Sequence, residues 1–88
     1  MKQLTNEINY SKSITKLYND IKEILIKKIK EENADYNYVT ISDLRKNAIL
    51  YLSSEMQSYA IALHNLVMQP RDEVYEYNML LNIYEDLK

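Results

Sequence analysis

The stretch His64–Glu73, HNLVMQPRDE, decides how many helices the chain has. It holds the only histidine and the only proline. Proline lacks an N–H and clashes with the preceding turn, so it ends one helix; its fixed φ suits the first position of the next. Asp72 and Glu73 then fall in a first turn, where the helix dipole favours negative charge. The reading is a helix that stops near Met68 and a new one over 70–87. A single helix kinked at Pro70 is the rival.

Upstream of this joint the apolar residues Ile49, Leu52, Met56, Tyr59, Leu63 and Leu66 recur at steps of three and four. That is the period of one helix face. Ala48, Ala60, Ala62 and Val67 broaden the face, so the segment reads as a central helix over 41–68, about 42 Å long. Its start is marked by Val39-Thr40-Ile41-Ser42-Asp43-Leu44. Thr40 can cap, Asp43 stands at the third helical position, and Val39 with Leu44 fits a hydrophobic staple. Residues 33–39, NADYNYV, read as a loop. Before it, Ile14, Leu17, Tyr18, Ile21, Ile24 and Leu25 form one stripe that fades where Lys28 takes the seam. Tyr10 is in phase, which predicts a first helix over 7–32. Beyond the joint, Val74, Tyr77, Leu80, Leu81, Tyr84 and Leu87 share a face. The expectation is an all-α, antiparallel three-helix (up-down-up) bundle in a single domain over 1–88, with room for a short extra N-terminal helical turn and a tendency to self-associate.

Composition agrees with long helices and few connections. The 88 residues include no glycine, one proline and no cysteine. Turns that need φ > 0 and glycine-rich phosphate loops are therefore disfavoured. Without cysteine there is no disulfide and no zinc-type spacing. The net charge is −2, with seven lysines against six acids in residues 1–39 and two basic against five acidic residues in 70–88. No strong basic field stands out, so nucleic acid is not an expected partner. Neither a membrane span nor a signal-peptide pattern is visible, which predicts a cytoplasmic protein. Asn, Ile, Lys and Tyr are abundant, and their A/T-rich codons suggest a low-GC bacterium, its phage or a plasmid.

Candidate chemistry is sparse. His64 lies at the polar border of the central helix with no Glu-x-x-His or His-x-x-x-His pair, so it reads as a boundary residue rather than a metal ligand or base. Ser53, Ser54 and Ser58 are hydroxyls without a turn to present them. No enzyme, metal or cofactor is expected. Of the nine tyrosines, Tyr18, Tyr59, Tyr77 and Tyr84 lie on core stripes. Tyr36, Tyr38, Tyr51 and Tyr75 are expected in water, where tyrosine beside acids suits a protein partner. At 100° per residue, Tyr75, Met79 and Ile83 fall on the far side of the last helix, edged by Asp72, Asn82 and Asp86. Tyr75, Met79, Ile83, Asp72 and Asp86 are the candidate partner-binding residues. Lys16, Lys27 and Lys30 are candidate ligands for a small anion, against the plainer reading of a solvated face. Leu50, Ile61 and Met68 form a thin apolar row outside the core arc, and a homodimer or higher oligomer would cover it.

Leu17-Tyr18-Asn19-Asp20-Ile21, LYNDI, resembles the first-helix motif of the small bacteriocin immunity proteins of the enterocin A type. The hairpin YLSSEMQSYAIALHNLVMQPRDEVYEYNMLLNIYEDL (51–87) is similar to that family's last two helices. Members of the family have four helices where the residues here read as three. The resemblance implies a cytosolic protein that protects a producer cell from a pore-forming peptide by acting on a membrane receptor complex. The alternative from the residues alone is a phage- or plasmid-encoded inhibitor, of an anti-defence type, that binds a host protein or sequesters a small anionic signal.

Overall fold

The helices start where side chains can satisfy the free N–H groups of a first turn. Thr40 accepts from the Asp43 amide, Ser53 from the Met56 amide and Asp72 from the Tyr75 amide. The computed structural model describes residues 10–37 and 40–88. Its elements are α1 (Tyr10–Glu32), α2 (Ile41–Tyr51), α3 (Ser54–Met68) and α4 (Glu73–Leu87). Among the described residues there is no strand and no positive φ, in keeping with a chain that has no glycine. Residues 7–9, Tyr38 and the staple residue Val39 lie outside the described residues.

Among the described residues the helices number four, which corrects the expectation of three. The segment 41–68 is broken at Leu52 and Ser53. Leu52 adopts an extended conformation (φ −112°, ψ 154°) and Ser53 is extended as well (ψ 163°). Ser53 Oγ accepts from Met56 N at 3.3 Å, and Gln57 Nε2 donates to the Leu52 carbonyl at 2.7 Å. The cap of α3 and a side-chain amide thus replace the helical bonds lost at the break. Pro70 is also placed differently. The chain leaves α3 at Gln69, crosses Pro70 and Arg71, and restarts at Glu73 behind the Asp72 cap. An aspartate cap holds two things at once, the orphan amide and the dipole, and it sets the start rather than the proline. The separate last helix is present, and the single kinked helix is excluded.

The core runs along α1. Ile14, Leu17, Ile21, Leu25 and Ile29 are buried, so the stripe continues one turn past Leu25. Against it lie Leu44 and Ala48 of α2, Ala60, Leu63 and Leu66 of α3, and Leu80 and Ile83 of α4. The last helix packs chiefly along α1 rather than along the helix before it. The Tyr10 and Tyr77 rings meet edge to face at 5.5 Å. Tyr18 reaches Glu76, and Tyr84 lines one groove with Ile24 and Lys27, so α1 and α4 run in the same direction. α3 runs the other way, with Leu66 beside Glu76 and Tyr59 facing Asp86.

The connection after α1 is tied down. Asn33 Oδ1 accepts from Asp35 N, and Asn33 Nδ2 donates to the Tyr51 hydroxyl at 3.3 Å. Tyr36, expected in water, is buried and belongs to the core. The break also changes which apolar residues are inside. Ile49, expected in the core, is 57% exposed. Leu50, Ile61 and Met68 do not form a row, because Leu50 is on α2 and the other two are on α3.

Candidate interaction surfaces

Three places could meet another molecule: the last helix, the lysine face of α1, and the corner between α3 and α4. On α4 the buried residues are Glu76, Leu80 and Ile83, spaced i, i+4 and i+7. Ile83 is 5% exposed, so it cannot belong to an outer row with Tyr75 and Met79. Met79 is partly buried and packs against the core, while Tyr75 is 48% exposed. The row is corrected to Tyr75 alone. Asp72 is occupied as the helix cap, and Asp86 faces Tyr59 across the α3–α4 contact. Partial burial first, and the Asp86 carboxylate second, raise the Tyr59 phenol above its ordinary value. The signal missed in the sequence was Glu76. It is charged yet in phase with Leu80 and Ile83, and the buried face lies one residue, about 100°, away from the face expected on Tyr77, Leu81 and Tyr84.

The lysine face divides. Lys16 and Lys27 border one groove of about 390 Å³ together with Asp20, Glu23, Ile24 and Tyr84. Lys16 Nζ is 2.7 Å from Asp20 Oδ2, and that hydrogen bond raises the ammonium above its usual value. Two acids thus stand beside two lysines, and the groove has no surplus of positive charge for an anion. Lys30, in the last turn of α1, is exposed and is not part of its wall. His64 is partly buried on α3. Among the described residues no group of three His, Cys, Asp or Glu is placed to hold a metal, and no helix is long and apolar enough to cross a membrane.

The corner holds the least ordinary chemistry. Glu76, in the first turn of α4, is 6% exposed and is the buried charged residue among those described. Its Oε2 accepts from the Tyr18 hydroxyl at 2.6 Å. Its Oε1 faces Arg71 Nε at 3.5 Å but accepts no hydrogen bond. Arg71 itself stays largely in water and also approaches Glu73 Oε2 at 3.9 Å. Burial, reinforced by the bond to Glu76, raises the Tyr18 phenol well above its ordinary 10.0. Tyr18, Leu66, Val67, Gln69, Arg71 and Glu76 enclose a recess of about 120 Å³. Burying a carboxylate is costly unless its oxygens are satisfied. One oxygen is satisfied here and the other is not.

Large apolar side chains also remain in water, and they come in adjacent pairs. Ile49–Leu50 ends α2, Val67–Met68 ends α3, and Val74–Tyr75 begins α4. No family model, no curated protein and no solved structure matches the chain.

Proposed function

We propose that the protein is a small helical module that works by binding another protein, and that it serves as a protector of the bacteriocin-immunity kind. The observation that carries this reading is the three exposed apolar pairs. Single exposed apolar residues are normal on any surface. Doublets at two of the three helix joints leave six large apolar side chains in water, and tyrosine and methionine are among the residues enriched at interfaces. The four helices and the LYNDI motif on α1 support the immunity reading. Binding, rather than catalysis, is the proposed activity. Self-association through the same pairs would give a homo-oligomer, and mass by light scattering separates that from a foreign partner.

A photo-crosslinking residue placed in turn at Leu50, Met68 and Tyr75, in producing cells, tests the reading. One protein should be captured at these positions and not from Asn19 on the exposed side of α1. Equal capture at all four positions, or none, overturns protein binding. Survival of sensitive cells that express the chain, challenged with pore-forming peptides, tests the immunity role separately.

A further inference from the structure

We propose that the recess at the α3–α4 corner is a socket for a basic side chain, arginine or lysine, donated by a protein partner, with Glu76 as its carboxylate. This deepens the protein-binding reading and rests on it. The socket is lined by the apolar side chains of Leu66 and Val67 and by the hydrogen-bonded pair Tyr18 and Glu76. Its volume of about 120 Å³ is a few times the roughly 30 Å³ share of a liquid water, enough for a guanidinium or an ammonium group.

The geometry explains why a donor from outside would be welcome. Glu76 Oε1 is buried and accepts no hydrogen bond. Arg71 supplies charge at 3.5 Å, but its side chain is 57% exposed and its planar donors are not laid against the carboxylate. An arginine normally meets a buried carboxylate with two parallel N–H bonds. A partner's side chain entering the recess would make the bond that Arg71 leaves unmade. Arg71 sits in the connection between two helices and can swing into water without disturbing either. The charge balance agrees: residues 70–76 carry Arg71 against Asp72, Glu73 and Glu76, three acids to one base. The exposed Val67–Met68 and Val74–Tyr75 pairs lie at the two helix ends that frame the corner. The fitting partner is a segment with one basic residue flanked by apolar ones.

The test uses the whole chain labelled with ¹⁵N and titrated with N-acetyl-arginine methylamide, followed through its amide signals. The neutral isostere N-acetyl-citrulline methylamide is the control. Signals of Gln69 and of residues 71–76 should move with the arginine compound and not with citrulline. Arg71→Ala should tighten binding at least threefold, because the internal competitor is gone. Glu76→Gln should weaken it at least tenfold. Should Glu76→Gln fail to fold, the Arg71→Ala arm decides alone. Equal shifts with both compounds, no shift at all, or no tightening in Arg71→Ala means that the recess holds only solvent, and the socket is wrong. The titration needs no partner, so the two failures can be told apart. Crosslinking without titration shifts removes the socket and keeps the binding reading. Shifts without crosslinking keep the basic-group site and remove the partner.

Discussion

At the scale of single residues, Tyr18 and Glu76 matter most, because each makes the other's burial tolerable. Tyr18→Phe keeps the ring packing and deletes the donor, leaving Glu76 Oε2 buried without a partner. A buried acceptor left unsatisfied costs about 1–3 kcal/mol. For a domain of this size that corresponds to a fall in Tm of roughly 4–8 °C per kcal/mol, measurable by thermal melting at neutral pH. The same pair predicts an alkaline signature. The Tyr18 phenol is raised in the folded state, first by burial and then by the bond to Glu76. The unfolded chain therefore loses this proton first as pH rises. Its contribution is complete below the ordinary tyrosine value near 10 and declines as pH climbs above it. Urea unfolding at pH 8, 10 and 11 should show a steeper loss in the parent chain than in Tyr18→Phe. Equal slopes would mean that Tyr18 titrates alike in both states. Tyr59, raised by partial burial and by Asp86, stays in both backgrounds and cancels.

The elements were legible wherever a cap or a breaker punctuated the apolar rhythm. Thr40 was readable as a cap, and so was the end of a helix before Pro70. The break at Leu52–Ser53 was not, because the spacing of Ile49, Leu52, Met56 and Tyr59 runs across it without a change of step. The signal present is Ser53 with Glu55 in the first turn of α3, a cap and an acid inside an apolar run. Neither glycine nor proline marks the place. Because the phase restarts at Ser54, Ile49 lies outside the core, and the buried residues of α2 are Leu44 and Ala48. The exposed corner around the missed Glu76 was unreadable for a related reason: periodicity ranks residues by polarity, and only tertiary pairing with Tyr18 makes a glutamate a core residue. Ser53→Ala should cost about 1 kcal/mol, the usual value of an N-cap. It should lower α3 helicity by circular dichroism more than Ser54→Ala does. Pro70→Ala should leave all four helices in place and cost about 0.4–1 kcal/mol, since Pro70 restricts the unfolded chain more than it contacts the folded one.

At the scale of the whole molecule, stability depends on a single spine. α1 is about 35 Å long at 1.5 Å per residue, in a body of 52 × 23 × 22 Å. It touches each of the other three helices. Every other helix rests part of its apolar face on α1. Two consequences follow for unfolding. Far-UV circular dichroism and tyrosine fluorescence should report one coincident transition in urea, as expected when every element shares one core. A change on the spine should also weigh far more than one on a surface pair. Leu25 is fully buried, and truncating it to alanine should cost about 2–5 kcal/mol. An 88-residue chain has only about 4–13 kcal/mol in all, at 0.05–0.15 kcal/mol per residue. Leu50→Ala, at a site 71% exposed, should stay within about 0.5 kcal/mol. Ile83→Ala and Tyr75→Ala make the same comparison on α4, and the first should resemble Leu25→Ala and the second Leu50→Ala. If Tyr75→Ala instead destabilises by several kcal/mol, the exposed pairs are already covered in solution by a second copy of the chain. The loss would then shrink on dilution, because the stability of a dimer depends on its concentration.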